Sequence, residues 1–106
     1  MEKKTLVIGA STNPSRYAYK AVQRLIRQSV EVVPIGIREG TIEDIPIQQG
    51  QPTVNDIHTI SLYLRPDLQK EYYDYIFQLQ PKRLLFNPGT ENAELMRLAK
   101  EAGIEV

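Results

Sequence analysis

"LVIGASTNPSRYAYKAV", residues 6 to 22, decides how the chain folds. The short apolar run TLVIGA at 5 to 10, with its β-branched residues, reads as a buried strand ending in a turn. Downstream, Ala18, Ala21, Val22, Leu25 and Ile26 recur at i, i+3, i+4, i+7 and i+8, the stripe of a helix packed on a sheet. Lys20, Gln23, Arg24 and Arg27 take its wet face. Between the two lies a turn of small residues, in which Asn13 is expected to cap the helix and Pro14 to sit in its first turn. Only Gly9 stands where dinucleotide-binding turns usually carry three glycines.

The same alternation continues to the end of the chain. VEVVPI (30–35), HTISLYL (58–64) and RLLFN (83–87) read as strands, and IEV (104–106) as the start of a short fifth. Leu68, Tyr72, Tyr75, Ile76 and Leu79 mark a second helical stripe, which leaves Tyr73 on the surface. Leu95, Leu98, Ala99 and Ala102 mark a third, stopped by Gly103. Residues 36–56 hold three glycines and two prolines without a sustained period, so a long loop with at most one helical turn is expected. These signals predict a three-layer α/β, Rossmann-like domain over residues 1–106. Its parallel sheet is expected to have five strands in the order 3-2-1-4-5.

Thirteen basic and thirteen acidic residues cancel, so net charge points neither to nucleic acid nor to an anionic membrane surface. No cysteine is present, which removes disulfides, thiolate metal sites and a cysteine nucleophile. The apolar run after "MEKK" stops at Gly9-Ala10, too short for a signal peptide or a membrane span, and a cytoplasmic protein is expected.

Ligands of such sheets sit at the carboxyl ends of the strands. With the predicted order, GASTNP (9–14) lies beside NPGTEN (87–92), two turns that lead into helix N-termini suited to an anion. Ser11, Thr12, Asn13, Asn87 and Thr90 would add side-chain donors, and Gly9 and Gly89 would allow close backbone approach. An NAD site wants a carboxylate at the end of strand two, but Glu31 opens that strand. At the far end the sequence reads Ile35-Gly36-Ile37-Arg38, and an arginine there favours an adenosine with an extra phosphate, as in NADP or coenzyme A. Lys20 and Arg65 are further basic candidates, and Glu39 keeps NAD as an alternative.

The stretches VIGASTNPSRYAYKAV, VVPIGIREG, IPI, SLYLRP and FNPGTENAEL together resemble the coenzyme A-binding domain family. Its members are single-domain relatives of the nucleotide-binding domain of the succinyl-CoA synthetase α subunit. The resemblance covers nearly the whole chain. It implies coenzyme A or an acyl-CoA as ligand, with Gly9, Ala10, Ser11, Thr12 and Asn13 cradling the pyrophosphate. It further implies roles for Pro34, Ile35, Gly36 and Arg38, for Arg65 and Pro66, and for Asn87, Pro88 and Gly89. Many relatives carry Asn-Pro where this chain has Gly36-Ile37, and many continue into a tail with a cysteine where this sequence stops at Val106.

The single histidine, His58, opens strand three at the end opposite the crevice, and no triad can be built from it. Glu43, Asp44 and Asp56 have no metal-binding or acid–base spacing, so no metal is expected. A binding module rather than an enzyme is the expectation, with an NADP-dependent oxidoreductase or an NAD(P)-binding regulatory domain as the alternative. A short last strand would leave an open sheet edge, where a homodimer or a protein partner could pair.

Overall fold

The computed structural model describes residues 3–106. In chain order the elements are β1 (Thr5–Ile8), α1 (Tyr17–Arg27), β2 (Val32–Ile35), β3 (Thr41–Ile42) and β4 (Ile45–Pro46). There follow β5 (Thr59–Leu62), α2 (Pro66–Gln69), a 3-10 turn (Lys70–Tyr72), α3 (Tyr73–Leu79), β6 (Arg83–Phe86) and α4 (Ala93–Glu101). Four strands form one parallel sheet in the order β2-β1-β5-β6.

The α/β class is as expected, but the order 3-2-1-4-5 is not. The third long strand, β5, pairs with β1 instead of β2. Pro34 supplies a physical reason. The Gly9 amide donates to Ile35 O, so Val33 and Ile35 turn their backbone groups toward β1 and Pro34 turns outward. A strand flanked on both sides would lose a ladder bond at Pro34, whereas an edge strand tolerates it. Beyond Pro34 the outer edge of β2 carries only a bridge to Gln48, whose amide donates to Pro34 O at 2.9 Å and whose carbonyl accepts from Gly36 N at 3.0 Å. The fifth strand shrinks to a single parallel bridge between Arg83 and Glu105.

Residues 36–56 contain an antiparallel hairpin, β3–β4, in place of a helical turn. Its two turn residues, Glu43 (φ 47°) and Asp44 (φ 73°), are both left-handed, the condition for a type I′ hairpin. Ile42 and Ile47 from this segment are buried with Val7, Val22 and Val32 on the α1 face of the sheet. Leu6, Ile8, Ile60, Leu62 and Leu84 face the other way, onto Ile76 of α3 and Leu95 and Ala99 of α4. The crossover from β1 to β2 and that from β5 to β6 run in opposite directions, so right-handed winding puts their helices on opposite faces.

The stripe over 68–79 holds at Tyr72, Tyr75, Ile76 and Leu79, which face the core, and fails at Leu68. Leu68 is 43% exposed, whereas Gln69 is fully buried. Tyr73, expected on the surface, is half-buried and accepts a hydrogen bond from Asn92. Among the described residues no helix is long and apolar enough to cross a membrane.

Candidate functional site

From β1 the chain steps to β2 on one side and later to β5 on the other, so the order reverses between β1 and β5. Outside the carboxyl ends of these two strands lies a cleft of about 590 Å³, where open α/β sheets bind their ligands.

One wall is the turn after β1. The Gly9 and Ala10 amides both donate to Ile35 O, at 2.9 and 2.8 Å, and are consumed by the fold. Gly9 has φ +100°, and a Cβ there would press on the Tyr63 backbone. A Cβ on Gly36 would collide with the Ala10 carbonyl oxygen, so the β2 end and the turn meet backbone to backbone. Asn13 does not cap α1. Its carbonyl accepts from Arg16 N, and its Oδ1 accepts from Ser15 N and Ser15 Oγ, closing a separate turn around Pro14. The cap position of α1 falls to Arg16, which makes no capping bond, and the first helical turn holds no acid. The Ser11 and Thr12 amides, and those of Tyr17, Ala18 and Tyr19 at the helix start, have no acceptor among the described residues. These spare donors lie where the helix dipole is positive.

Arg16 and Arg38 line the cleft, and among the described residues no aspartate or glutamate does. Glu31 sits at the other end of β2, paired with Lys4 at 3.4 Å. Ile37, 81% exposed, reaches the cleft beside Arg38, and its carbonyl is tied to Gln49 Nε2 at 3.0 Å. The opposite wall holds Tyr63, Leu64, Leu68, Tyr72, Pro88 and Thr90.

The turn after β6 differs from the turn after β1. Asn87 Nδ2 donates to Ser61 Oγ (2.9 Å) and Leu62 O (2.8 Å). Thr90 donates to Asn87 O through both its amide and its hydroxyl, and the Gly89 amide donates to the Glu91 carboxylate at 2.9 Å. Asn92 caps α4 by accepting from Leu95 N, with Glu94 in the first turn. The buried Gln69 locks this turn to the β5 side, donating to Leu64 O and Thr90 O and accepting from Asn92 Nδ2.

Of the residues expected from sequence, Gly9, Ala10, Ser11, Thr12, Asn13, Gly36, Arg38, Pro88 and Thr90 line the cleft. Pro34, Ile35, Pro66, Asn87 and Gly89 lie behind or beside it. Lys20 stands 5.7 Å over the Tyr17 ring, and Arg65 pairs with Asp67 at 3.4 Å; neither lines the cleft. Sequence reasoning missed Arg16, Tyr17, Ile37, Tyr63 and Leu68. Tyr17 at 79% and Ile37 at 81% are off any buried stripe, and bulky apolar residues out of phase were the available signal.

His58 lies at the amino end of β5, in a separate hollow with Lys3, Asp56 and Lys82, and its Nδ1 bonds Thr59 Oγ1. Burial, reinforced by Lys3, Arg83 and Lys82, holds its imidazole below the ordinary histidine range. Among the described residues no three His, Cys, Asp or Glu side chains group as metal ligands.

A parallel sheet with its order reversed at β1 and a cleft at that point define a Rossmann-like α/β class of domain. Over residues 3–106 the chain matches the model of the CoA binding domain, and it belongs to that family. Among solved structures it is similar to an uncharacterized protein, with 42% identity over 99% of this chain and 87% of that one and a TM-score of 0.95. A hypothetical protein from Pyrococcus horikoshii OT3 is 25% identical over 97% of this chain and 73% of that one, at TM-score 0.86. A conserved hypothetical protein from Pyrococcus furiosus is 26% identical over 97% and 90%, at TM-score 0.83. No curated protein matches the chain in sequence.

Proposed function

We propose that this domain binds coenzyme A or an acyl-CoA in the cleft and holds it without transforming it, as a sensing or presenting module. The supporting observation is the pairing of unsatisfied amides at Ser11, Thr12 and the start of α1 with two arginines, in a cleft that no carboxylate lines among the described residues. A pyrophosphate fits such donors, and a guanidinium such as Arg38 at the β2 end fits a ribose phosphate. Among the described residues the lining has no histidine, cysteine, aspartate or glutamate to serve as acid, base or nucleophile.

An NADP-binding domain would use the same amides and the same arginine. Calorimetric titration with CoA, dephospho-CoA, NADP and NAD separates the readings. Tightest binding of CoA, weakened by loss of the 3′-phosphate, is expected. Tightest binding of NADP, or no response to CoA up to millimolar concentration, overturns it.

A further inference from the structure

The segment after β5 inverts the usual placement of side chains. Leu68 and Gln69 are neighbours at the end of α2, yet the leucine is 43% exposed and the glutamine has no exposed surface. The chain thereby buries a side chain that needs three hydrogen bonds and leaves an apolar one in water. Such a breach of the local rule is expected where a surface has work to do. Leu68 does not stand alone, since Leu64, Leu68 and Tyr72 follow at i, i+4 and i+8 and all line the cleft with Tyr63 and Pro88. Among the described residues no charged side chain interrupts this half of the lining. Thr90, its remaining member, commits its hydroxyl to Asn87 O.

The cleft is therefore polarised. In charge it is one-sided: spare amides, Arg16 and Arg38, with Tyr17 and Ile37 beside them, occupy the β1 and β2 side, and an uncharged, largely apolar wall occupies the β5 side. A ligand that satisfies both halves is anionic at one end and apolar at the other. Free coenzyme A ends in a small thiol, which leaves Leu68 and Tyr72 with little to cover them. Resting on the proposed CoA reading, we infer that the preferred ligand is an acyl-CoA with an aliphatic acyl group, seated against Leu64, Leu68 and Tyr72. The acyl chain removes this wall from water, and the phosphates take the turn and the arginines.

Calorimetry with CoA, acetyl-CoA and octanoyl-CoA on the full chain tests this inference. Complete burial of a methylene is worth about fourfold in affinity, and an open cleft covering half of it gives about twofold. Octanoyl-CoA is therefore expected to bind at least about tenfold tighter than acetyl-CoA. In Leu68→Ser, an exposed position whose folding is checked by its melting curve, that ratio should collapse toward one. Equal affinities for the three ligands, or a ratio that survives Leu68→Ser, overturn the acyl inference and leave the CoA reading standing. Failure of all three to bind overturns both.

Discussion

Two turns of this molecule share the pair Asn-Pro and lead into a helix, yet they end in opposite states. After β1, STNPSR leaves amides at Ser11, Thr12 and the start of α1 without acceptors, behind a helix with no cap and no acid. After β6, NPGTEN ties the Gly89 and Thr90 amides within the turn, caps α4 with Asn92 and adds Glu91 and Glu94. The first helix end has neither a side-chain cap nor an acid, and the second has both. What separates them is the cap and the charge at each helix start, which decide how well an N-terminus suits an anion.

The largest expected effect breaks the second turn. Gln69→Leu strands the Leu64 and Thr90 carbonyls, and at about 1–3 kcal/mol for each stranded group should cost about 2–6 kcal/mol. The melting temperature should fall by upwards of about 10 °C. A loss below about 1 kcal/mol would show that the turn does not depend on this network. On the ligand side, Arg38→Ala should weaken CoA by about 10- to 150-fold, the equivalent of about 1.5–3 kcal/mol, and dephospho-CoA hardly at all. Equal losses for the two ligands, read by calorimetry, would move Arg38 off the 3′-phosphate.

The capping residues offer a matched pair of edits with opposite signs. Asn92→Ala removes a working cap and should destabilise the chain by about 1–2 kcal/mol in urea. Arg16→Ser places a capping hydroxyl at a residue already in extended conformation (φ −81°, ψ 142°). It should stabilise the free protein by about 1 kcal/mol while weakening CoA, because it fills the donors the ligand would use. A variant that gains stability and also binds CoA more tightly would contradict the contrast drawn here.

The smallest effect lies at the opposite end of the sheet. His58 titrates below its ordinary value of 6.5 in the fold, chiefly through burial. As pH falls through 6.5 the unfolded chain takes up a proton before the folded chain does. Stability therefore declines until the folded imidazole also titrates, and is higher on the neutral side. His58→Gln should flatten melting temperature between pH 7.5 and 5.5 by a small amount. As the only histidine in the chain, its proton resonance reports this pKa directly.

Much of the fold was legible because its signals are local. The runs at 5–8, 32–35, 59–62 and 83–86 alternate with helical stripes, and the α/β class follows from that alternation. The strand order was not read: the expected 3-2-1-4-5 put β2 inside the sheet, and Pro34, whose missing N–H suits an edge, bears on the place of β2 alone. The hairpin at Thr41–Pro46 was hidden by Glu43-Asp44, a turn pair with none of the usual Asn-Gly signal. At the site, the first turn and Arg38 were read from sequence. Leu68 was not, because it lies in α2, which a 3-10 turn separates from α3, so the phase of the α3 stripe does not extend to it.

The sequence alone determined the long strands and the helices between them, the family and the chemistry available to the first turn, since these depend on residue type and near neighbours. The tertiary structure decided which amides remain free. Ile35 O, from a strand more than twenty residues away, claims those of Gly9 and Ala10. It also decided that Gln69 turns inward to meet Leu64, Thr90 and Asn92 while Leu68 faces the cleft. The reason is physical: a buried polar group must find its partners wherever in the chain they lie, and the side chains around it are placed by that requirement.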